Sequence, residues 1–232
     1  MEYTINIKGH LMDLSTPQVM GILNVTPDSF YSGSRKQTEM EIAQRANQII
    51  EEGGSIIDVG AFSTRPGADE VSEEEEGRRL KFALDIVRRE QPDAAVSVDT
   101  YRPTLARKCI EEWGADIIND VSEGGITGIA NVPLEQRQEE YPEMFRVVGE
   151  LKVPYILMSV QPTLETMMKG FAREVQQLRD LGAKDIILDP GFCFGKNLIQ
   201  NYQIYNEMEK LNVMELPVLV GISRKSMIYK LL

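Results

Sequence analysis

The chain has 232 residues, of which 42% are hydrophobic and 26% are charged, a globular composition that can bury a large core. Its formal net charge of −11 argues against binding to nucleic acid or an anionic membrane, so an anionic substrate would need a local basic site. No apolar run is long enough to cross a bilayer, and residues 1–6 do not resemble a signal peptide.

The cysteine and histidine content limits the kinds of catalytic or metal site that the chain can contain. Cys109 and Cys193 have neither metal-binding nor redox spacing, which is typical of a reducing, cytoplasmic location. The single histidine, His10, lies in a short N-terminal segment. A Ser-His-Asp site is therefore not expected.

Short β-type runs alternate with longer helical patterns along the chain. Residues 1–17 predict a hairpin-like segment, centred on Tyr3–Leu14, that would close the bottom of a barrel. The seven strands predicted after it are Val19–Asn24, Ser55–Gly60, Ala95–Asp99, Asp116–Asp120, Pro154–Met158, Asp185–Asp189 and Pro217–Gly221. They are too apolar to have one wet face, as expected of parallel strands buried on both sides. Six helical patterns separate them and a seventh begins after the last, which indicates βαβ units.

Two architectures fit this alternation, an open doubly wound sheet and a (β/α)8 barrel. Residues 24–28 after the first strand read Asn-Val-Thr-Pro-Asp and lack the Rossmann glycine fingerprint. Polar residues lie at the C-terminal ends of predicted strands all along the chain, as expected at the mouth of a barrel. In a doubly wound sheet they would instead be concentrated at one switch point, where the strand order reverses. We therefore predict an α/β protein with a TIM-type (β/α)8 barrel, in one domain over residues 1–232. Because residues 227–232 continue an apolar helical pattern without a C-cap, we expect this chain to lack the last βα unit.

The polar strand ends predict an active site. Five Asn or Asp residues occupy equivalent positions, namely Asn24, Asp58, Asp99, Asn119 and Asp189. Buried carboxylates and carboxamides are costly unless they are paired, so their convergence predicts a ligand rich in hydrogen-bond donors. A flat heterocycle with N–H and NH2 groups fits, and Lys225 is available for its acceptors.

Three loops predict features of the site other than hydrogen-bond acceptors. Residues 62–67, Phe-Ser-Thr-Arg-Pro-Gly, combine hydroxyls with a guanidinium suited to phosphate or carboxylate. Residues 221–226, Gly-Ile-Ser-Arg-Lys-Ser, begin a helix, where backbone N–H groups attract anions. Residues 189–196 do not match the P-loop pattern, and their Phe192 and Phe194 predict an apolar wall for a ring.

Six segments together closely resemble the dihydropteroate synthase family, in that family's order. They are Met20-Gly21-Ile22-Leu23-Asn24-Val25-Thr26-Pro27-Asp28-Ser29-Phe30, Ser63-Thr64-Arg65-Pro66-Gly67, Ser97-Val98-Asp99-Thr100, Ile118-Asn119-Asp120-Val121, Asp189-Pro190-Gly191-Phe192 and Gly221-Ile222-Ser223-Arg224-Lys225. The resemblance spans Val19 to Lys225 and is far more specific than any one motif.

The resemblance implies a barrel transferase of folate biosynthesis and a sulfonamide target. Such an enzyme condenses 6-hydroxymethyl-7,8-dihydropterin pyrophosphate with p-aminobenzoate, giving 7,8-dihydropteroate and pyrophosphate. It also implies Mg²⁺ on the pyrophosphate, held in part by Asn24, and a cytoplasmic homodimer packed through its late helices.

The resemblance further implies the role of each matching residue. Asp99, Asn119, Asp189 and Lys225 would hold the pterin, with Met158 and Gly221 beside it, and Asp99, Asp189 and Lys225 would be the catalytic groups. The p-aminobenzoate site would be shaped by Thr64, Pro66, Phe194, Ser223 and Lys225, and Arg65 would also contact substrate. The loops Val25–Arg35 and Phe62–Asp69 would close over the reactants.

Two alternatives stay open. A pterin-dependent methyltransferase resembles this fold, but methyl transfer needs no site for pyrophosphate or p-aminobenzoate. A non-catalytic pterin-binding remnant is the other, because the family's last strand normally brings an Arg and a His that are missing here. The chain also departs from the family at Ser32, usually Asp, at Ser159, often His, and at Cys193, usually Gly. A glycine at that last position is typical of a backbone with positive φ.

Overall fold

In the computed structural model, the described residues are 3–25, 35–62, 71–124 and 141–229. The strands assigned there are β1 (Thr4–Ile7), β2 (His10–Asp13), β3 (Met20–Asn24), β4 (Ile56–Gly60), β5 (Ala95–Asp99), β6 (Ile117–Asp120), β7 (Tyr155–Met158) and β8 (Ile186–Asp189). The α-helices are α1 (Arg35–Glu51), α2 (Glu73–Glu90), α3 (Pro103–Glu111), α4 (Glu143–Leu151), α5 (Leu164–Asp180), α6 (Leu198–Glu207) and α7 (Ser226–Tyr229), with a 3-10 helix at Met208–Met214. None of these helices is long and apolar enough to cross a membrane.

The strand order of the main sheet does not reverse. Its six strands are parallel and lie in chain order, β3-β4-β5-β6-β7-β8, and the next described element after each strand is a helix. A doubly wound sheet would reverse its order at a switch point. The strand order therefore confirms the predicted barrel-type architecture.

The last predicted strand is shorter than expected. Residues 217–221 form only a parallel bridge between Leu188 and Val218, supported by a 2.9 Å hydrogen bond from Leu188 N to Pro217 O. At the other edge, Val19 and Ile22 are 60% and 57% exposed. Within the described residues no strand pairing joins the two edges, so the sheet is curved in barrel order but open.

The N-terminal hairpin closes the bottom of the sheet, as predicted. β1 and β2 pair antiparallel around Lys8 and Gly9, whose φ values of 49° and 88° fit a type I′ turn. Ile5 is 1% exposed and packs on a layer of side chains at the N-terminal ends of the parallel strands. That layer consists of Ile56, Ala95, Ile117, Ile156 and Ile187.

The other face of the sheet packs against the helices. Its apolar positions on β4 and β5 form one buried cluster with α1 and α2, and those on β7 and β8 form another with α4 and α5. Local signals fix several helix starts. Ser72 Oγ accepts from Glu75 N at 3.2 Å ahead of α2, Pro103 occupies the first turn of α3, and Asn197 and Gln200 form a capping box at α6. These helices hold the strand ends in place.

Candidate active site

The inner face of the sheet changes from apolar to polar along the strands. Successive residues of a strand point to opposite faces, so Asp58 and Gly60 share the inner face with Ile56. The register pairs Asn24 with Gly60, Gly60 with Asp99, and Asp99 with Asn119. The same end of the sheet pairs Met158 with Asp189. The hairpin therefore seals one end of the inner face and the predicted polar residues line the other.

Three neighbouring side chains present acceptors without protein partners. Asn119 Nδ2 donates to Asp58 Oδ2 at 3.2 Å, which leaves Asp58 Oδ1 and Asn119 Oδ1 buried and unpaired among the described residues. Asp99 Oδ1 is also buried without a hydrogen-bond partner there. Unpaired buried acceptors are costly, and their grouping at one strand edge is typical of a site that receives donors from a ligand.

This cluster disfavours negative charge in the free protein. Burial raises the pKa of Asp58, although the hydrogen bonds that it accepts oppose that shift. Burial, together with the neighbouring charges of Asp58 and Glu76, raises the pKa of Asp99 well above its ordinary value. A ligand with N–H donors would relieve both effects.

Gly60 leaves space between two of the predicted residues. A Cβ on Gly60 would lie 3.0 Å from Asn24 Oδ1 and 3.4 Å from Asp99 Oδ2. Because residue 60 has no side chain, these two oxygens face a common opening at the end of β3, β4 and β5. The sequence reading did not single out Gly60, although a glycine that ends an apolar strand between two such neighbours is a usable signal.

A second cluster combines Asp189 with Lys225. Asp189 is buried and its Oδ1 accepts from Gly191 N at 2.8 Å, while Lys225 Nζ donates to Phe192 O at 2.7 Å. Burial raises the pKa of Asp189 and lowers the pKa of Lys225, and the attraction between the two groups opposes both shifts. A Cβ on Gly221 would lie 3.7 Å from Lys225 Nζ, so Gly221 lies beside this lysine.

An apolar wall borders the charged pair. Lys225 Nζ lies 4.8 Å from the centroid of the Phe194 ring. Phe194 and Phe62 both pack on a small buried cluster formed by Val121, Met158 and Val160. Phe192, by contrast, is fully buried and packs edge-on against Tyr205 at 6.1 Å. The predicted ring wall is therefore assigned to Phe194 and Phe62, because Phe192 belongs to the core.

Lys196 is a site feature that the sequence reading missed. Its Nζ donates to Ser159 O at 2.8 Å, Gly191 O at 3.0 Å and Phe194 O at 3.1 Å. Burial lowers its pKa to about 8, and the charge of Asp189 opposes the shift. These bonds tie the loop after β8 to the end of β7, so Lys196 holds the aromatic wall and does not serve a phosphate loop.

Asp120 is a structural acid. It lies on the outer face next to Asn119, where Tyr155 Oη donates to its Oδ2 at 2.6 Å and Gly124 N donates to the same atom at 2.8 Å. Ser122 N donates to its Oδ1 at 2.7 Å. Both carboxylate oxygens are thus used to fix the turn after β6.

Two of the three departures from the family pattern, Cys193 and Ser159, have defined positions, and Ser32 lies outside the described residues. Cys193 has φ 69°, as expected where a glycine is usual, and its backbone N–H donates to Asn201 Oδ1 at 2.7 Å. Ser159 Oγ donates to the buried Glu123 at 3.2 Å, so it lies in the network around Lys196. Ser223 is exposed in the turn before α7. Of the remaining predicted residues, Thr64, Arg65 and Pro66 lie outside the described residues.

His10 lies in the hairpin, at the end of the sheet opposite the polar cluster, which removes it from the chemistry. Cys109 and Cys193 are both free cysteines.

Comparison with known proteins places this site in a family. The model of the pterin binding enzymes matches residues 20–232. Dihydropteroate synthase of Escherichia coli K12 is 38% identical over 240 residues, covering 97% of this chain and 79% of that protein. A solved Xanthomonas albilineans dihydropteroate synthase with 4-aminobenzoic acid has a TM-score of 0.84 at 31% identity, covering 100% of this chain and 82% of that one. The Yersinia pestis enzyme, solved with a sulfonamide drug, has a TM-score of 0.80 at 33% identity, covering 99% and 82%. The chain therefore belongs to the dihydropteroate synthase family of pterin-binding enzymes.

Proposed function

We propose that this chain condenses 6-hydroxymethyl-7,8-dihydropterin pyrophosphate with p-aminobenzoate to give 7,8-dihydropteroate and pyrophosphate. One observation carries the proposal: buried acceptors on Asp58, Asp99 and Asn119 have no hydrogen-bond partner among the described residues, at the same end of the sheet as Asp189, Lys225 and Phe194. A donor-rich heterocycle would satisfy the first group, and a second aromatic ring would lie against the last.

The pterin would be held by Asp99, Asn119 and Asp189. Their oxygens match the N–H and NH2 groups of the ring, and Asp58 orients Asn119 through their 3.2 Å hydrogen bond. Lys225 would donate to the ring's acceptors, while Met158 and Gly221 would lie beside it. Binding would pair acceptors that have no partner within the described part of the chain, which supports affinity and selectivity.

The p-aminobenzoate would occupy the side of the site bordered by Phe194. Its ring would lie against that side chain, and Lys225, 4.8 Å from the Phe194 centroid, would be close to its carboxylate. Thr64, Arg65, Pro66 and Ser223 would complete this part of the site. A chain of net charge −11 needs such local cations to bind two anionic substrates.

The reaction follows from these positions. The bond between the pterin methylene and the pyrophosphate oxygen breaks, and its electron pair leaves with pyrophosphate. The aniline nitrogen donates its lone pair to form the new C–N bond and then loses a proton. Positive charge develops on the methylene as the leaving group departs, and the carboxylates of Asp99 and Asp189 would stabilise it. No Ser, Cys or His nucleophile is needed.

Mg²⁺ would assist by neutralising the leaving pyrophosphate. Oxygen ligands suit this ion, and Asn24 Oδ1 faces the opening at Gly60 opposite Asp99 Oδ2. The described residues contain no cluster of three or more His, Cys, Asp or Glu side chains that would bind a metal by itself. Asn24 would therefore share the ion with the substrate, as is usual for Mg²⁺ at phosphate groups.

Pyrophosphate release from the purified chain tests this function against its rivals. Release that requires both dihydropterin pyrophosphate and p-aminobenzoate supports the proposal. Pterin binding without release would identify a remnant, and methyl transfer from a methylated pterin would identify a methyltransferase. The same assay with a sulfonamide added should show competition with p-aminobenzoate.

We also propose a cytoplasmic homodimer in which residues 1–232 form one pterin-binding domain. The free cysteines support a reducing compartment. Exposed apolar side chains of the late helices, including Ile199 and Val213 at 69% each, support an interface there. Light scattering on the purified chain and on Ile199→Asp measures this, and a wild-type monomer would refute it.

A further inference from the structure

We infer that Arg45 binds the leaving pyrophosphate, in a cavity of about 220 Å³ between the end of β3 and helix α1. This inference rests on the proposed function and adds to it a cation for the leaving group. The described residues that line the cavity are Leu23, Asn24, Val25, Thr38, Glu41, Ile42 and Arg45. Asn24, whose side-chain oxygen is proposed to bind Mg²⁺, therefore borders the same cavity as Arg45.

Arg45 reaches the open edge of the sheet. Val25 N donates to Gly60 O at 2.8 Å, so Val25 turns its backbone groups toward β4. Backbone groups alternate in direction along a strand, and Ile22, three residues earlier, therefore turns its carbonyl toward the edge that no described strand covers. Arg45 Nε donates to this carbonyl at 3.2 Å. The guanidinium is thus held at the open side of β3, two residues before Asn24.

The guanidinium of Arg45 keeps donors available for an anion. Besides the bond from Nε, its Nη1 donates to Gln48 Oε1 at 3.1 Å. Its other N–H groups have no hydrogen-bond partner among the described residues, and no carboxylate there forms an ion pair with it. A planar guanidinium with free N–H groups matches two oxygens of a phosphate group at once.

Two carboxylates near this cavity oppose an anion. Glu41 lies one turn before Arg45 on α1, is exposed, and accepts from Gln37 Nε2 at 3.1 Å. Asp99 lies across Gly60 from Asn24, on the inner face of the sheet. Of the residues that line the cavity, Arg45 is the only cation and Glu41 is the only acid. Neutralising these two side chains should therefore change pyrophosphate affinity in opposite directions.

The position of Arg45 suits the charge that develops in the proposed reaction. The electron pair of the broken C–O bond leaves with pyrophosphate, so negative charge on the leaving group grows. Arg45 would stabilise that charge beside Asn24. Phe194 and Lys225, which border the proposed p-aminobenzoate site, do not line this cavity. Loss of Arg45 should therefore affect pyrophosphate more than p-aminobenzoate.

Titration calorimetry of the whole chain with pyrophosphate, with and without Mg²⁺, tests the assignment. We expect Arg45→Gln to raise the Kd for pyrophosphate at least about fivefold in both conditions, because the guanidinium binds phosphate oxygens directly. Arg45→Lys should retain part of the affinity, since it keeps the charge but not the fork geometry. Glu41→Gln keeps an acceptor for Gln37 and should lower the Kd at least about twofold.

Steady-state kinetics and thermal unfolding distinguish binding from a structural role at the edge of β3. Product inhibition by pyrophosphate should weaken in Arg45→Gln by about the same factor as binding does, while KM for p-aminobenzoate stays within about twofold. Arg107→Gln removes a guanidinium that pairs with Glu111 and Glu150 on outer helices. It is the matched control and should change neither quantity.

The outcomes separate this cavity from the proposed function. An unchanged Kd for pyrophosphate in Arg45→Gln, or a Kd that does not fall in Glu41→Gln, would overturn the inference. A lower Tm of Arg45→Gln with equal losses of pyrophosphate and pterin affinity would overturn it too, because Arg45 would then only support the strand edge. A wild-type chain that binds pyrophosphate but releases none from the two substrates would refute the proposed function and leave the anion site in place. Release that added pyrophosphate does not inhibit would do the reverse.

Discussion

Asn24 and Asp99 face each other across Gly60, with Asn24 Oδ1 and Asp99 Oδ2 lying 3.0 Å and 3.4 Å from the point where a Cβ of residue 60 would be. The register places all three residues at the same level of neighbouring strands. The opening between them joins the acceptors proposed for the pterin to the oxygen proposed for Mg²⁺. A side chain on residue 60 would therefore test the assignment of Asn24 to the metal.

Gly60→Ala should weaken the use of Mg²⁺ selectively. The added methyl would press on Asn24 Oδ1 at 3.0 Å, whereas Asp99 Oδ2 at 3.4 Å and Asp99 Cβ at 3.5 Å are close to ordinary van der Waals distance. We expect the Mg²⁺ concentration for half-maximal pyrophosphate release to rise at least about fivefold, equivalent to roughly 1 kcal/mol. Calorimetric binding of a pterin analogue without Mg²⁺ is the control and should change by less than about twofold. An unchanged Mg²⁺ dependence would remove Asn24 from the proposed metal site.

Asp99→Asn should stabilise the free chain and weaken pterin binding. Burial and the charge of Asp58 raise the pKa of Asp99, so the folded chain holds this proton more tightly than the unfolded chain does. The associated stability is present below the ordinary value of 3.8 and is lost as the pH rises through the folded-state pKa. Asparagine cannot lose that contribution, so its advantage over wild type should grow between about pH 4 and pH 7.

Thermal unfolding across that pH range measures the effect. At pH 7 we expect the Tm of Asp99→Asn to exceed that of wild type by roughly 2–4 °C, while its affinity for a pterin analogue falls at least about tenfold. Asp93→Asn, at an exposed position before β5, is a matched control. A difference in Tm that stays constant with pH would contradict the assignment of a raised pKa to Asp99.

Asp189→Ala should reduce pterin affinity at least about tenfold, or roughly 1.4 kcal/mol. The substitution removes a buried acceptor and leaves the nearby ammonium of Lys225 without its opposing charge. Titration calorimetry with a pterin analogue gives the affinity directly. Asp180→Ala, at the exposed end of α5, should bind normally, and unchanged binding by Asp189→Ala would refute its role.

Lys196→Met should impair p-aminobenzoate use through the aromatic wall. The substitution removes the three bonds to carbonyl oxygens that hold the loop bearing Phe194 against the end of β7. We expect KM for p-aminobenzoate to rise at least about fivefold, with a smaller change in pterin affinity. Lys169→Met removes an exposed lysine that pairs with Glu165 and should leave both unchanged. A larger loss of pterin affinity than of p-aminobenzoate affinity would assign Lys196 to the pterin instead.

The architecture and the polar strand ends proposed to bind the pterin were predictable from the amino-acid sequence. Apolar runs too hydrophobic for one wet face indicate buried parallel strands, and a polar residue at the end of each run must reach the mouth because strands of a parallel sheet share one direction. Asn24, Asp99, Asn119 and Asp189 were therefore predictable from local pattern. The resemblance of the chain to the dihydropteroate synthase family then indicated that the heterocycle is a pterin.

The neighbours of those residues became apparent from the folded chain alone. Asp120 also ends a strand but lies one residue beyond Asn119, so its side chain points outward, where Tyr155 and the turn after β6 satisfy it. Lys196 and Gly60 lie against elements that are distant from them in sequence. Such contacts depend on the register of the strands and on side-chain direction, which no local pattern encodes. The order of the strands was thus predictable from the sequence, whereas the hydrogen-bond partners of the side chains at the strand ends were not.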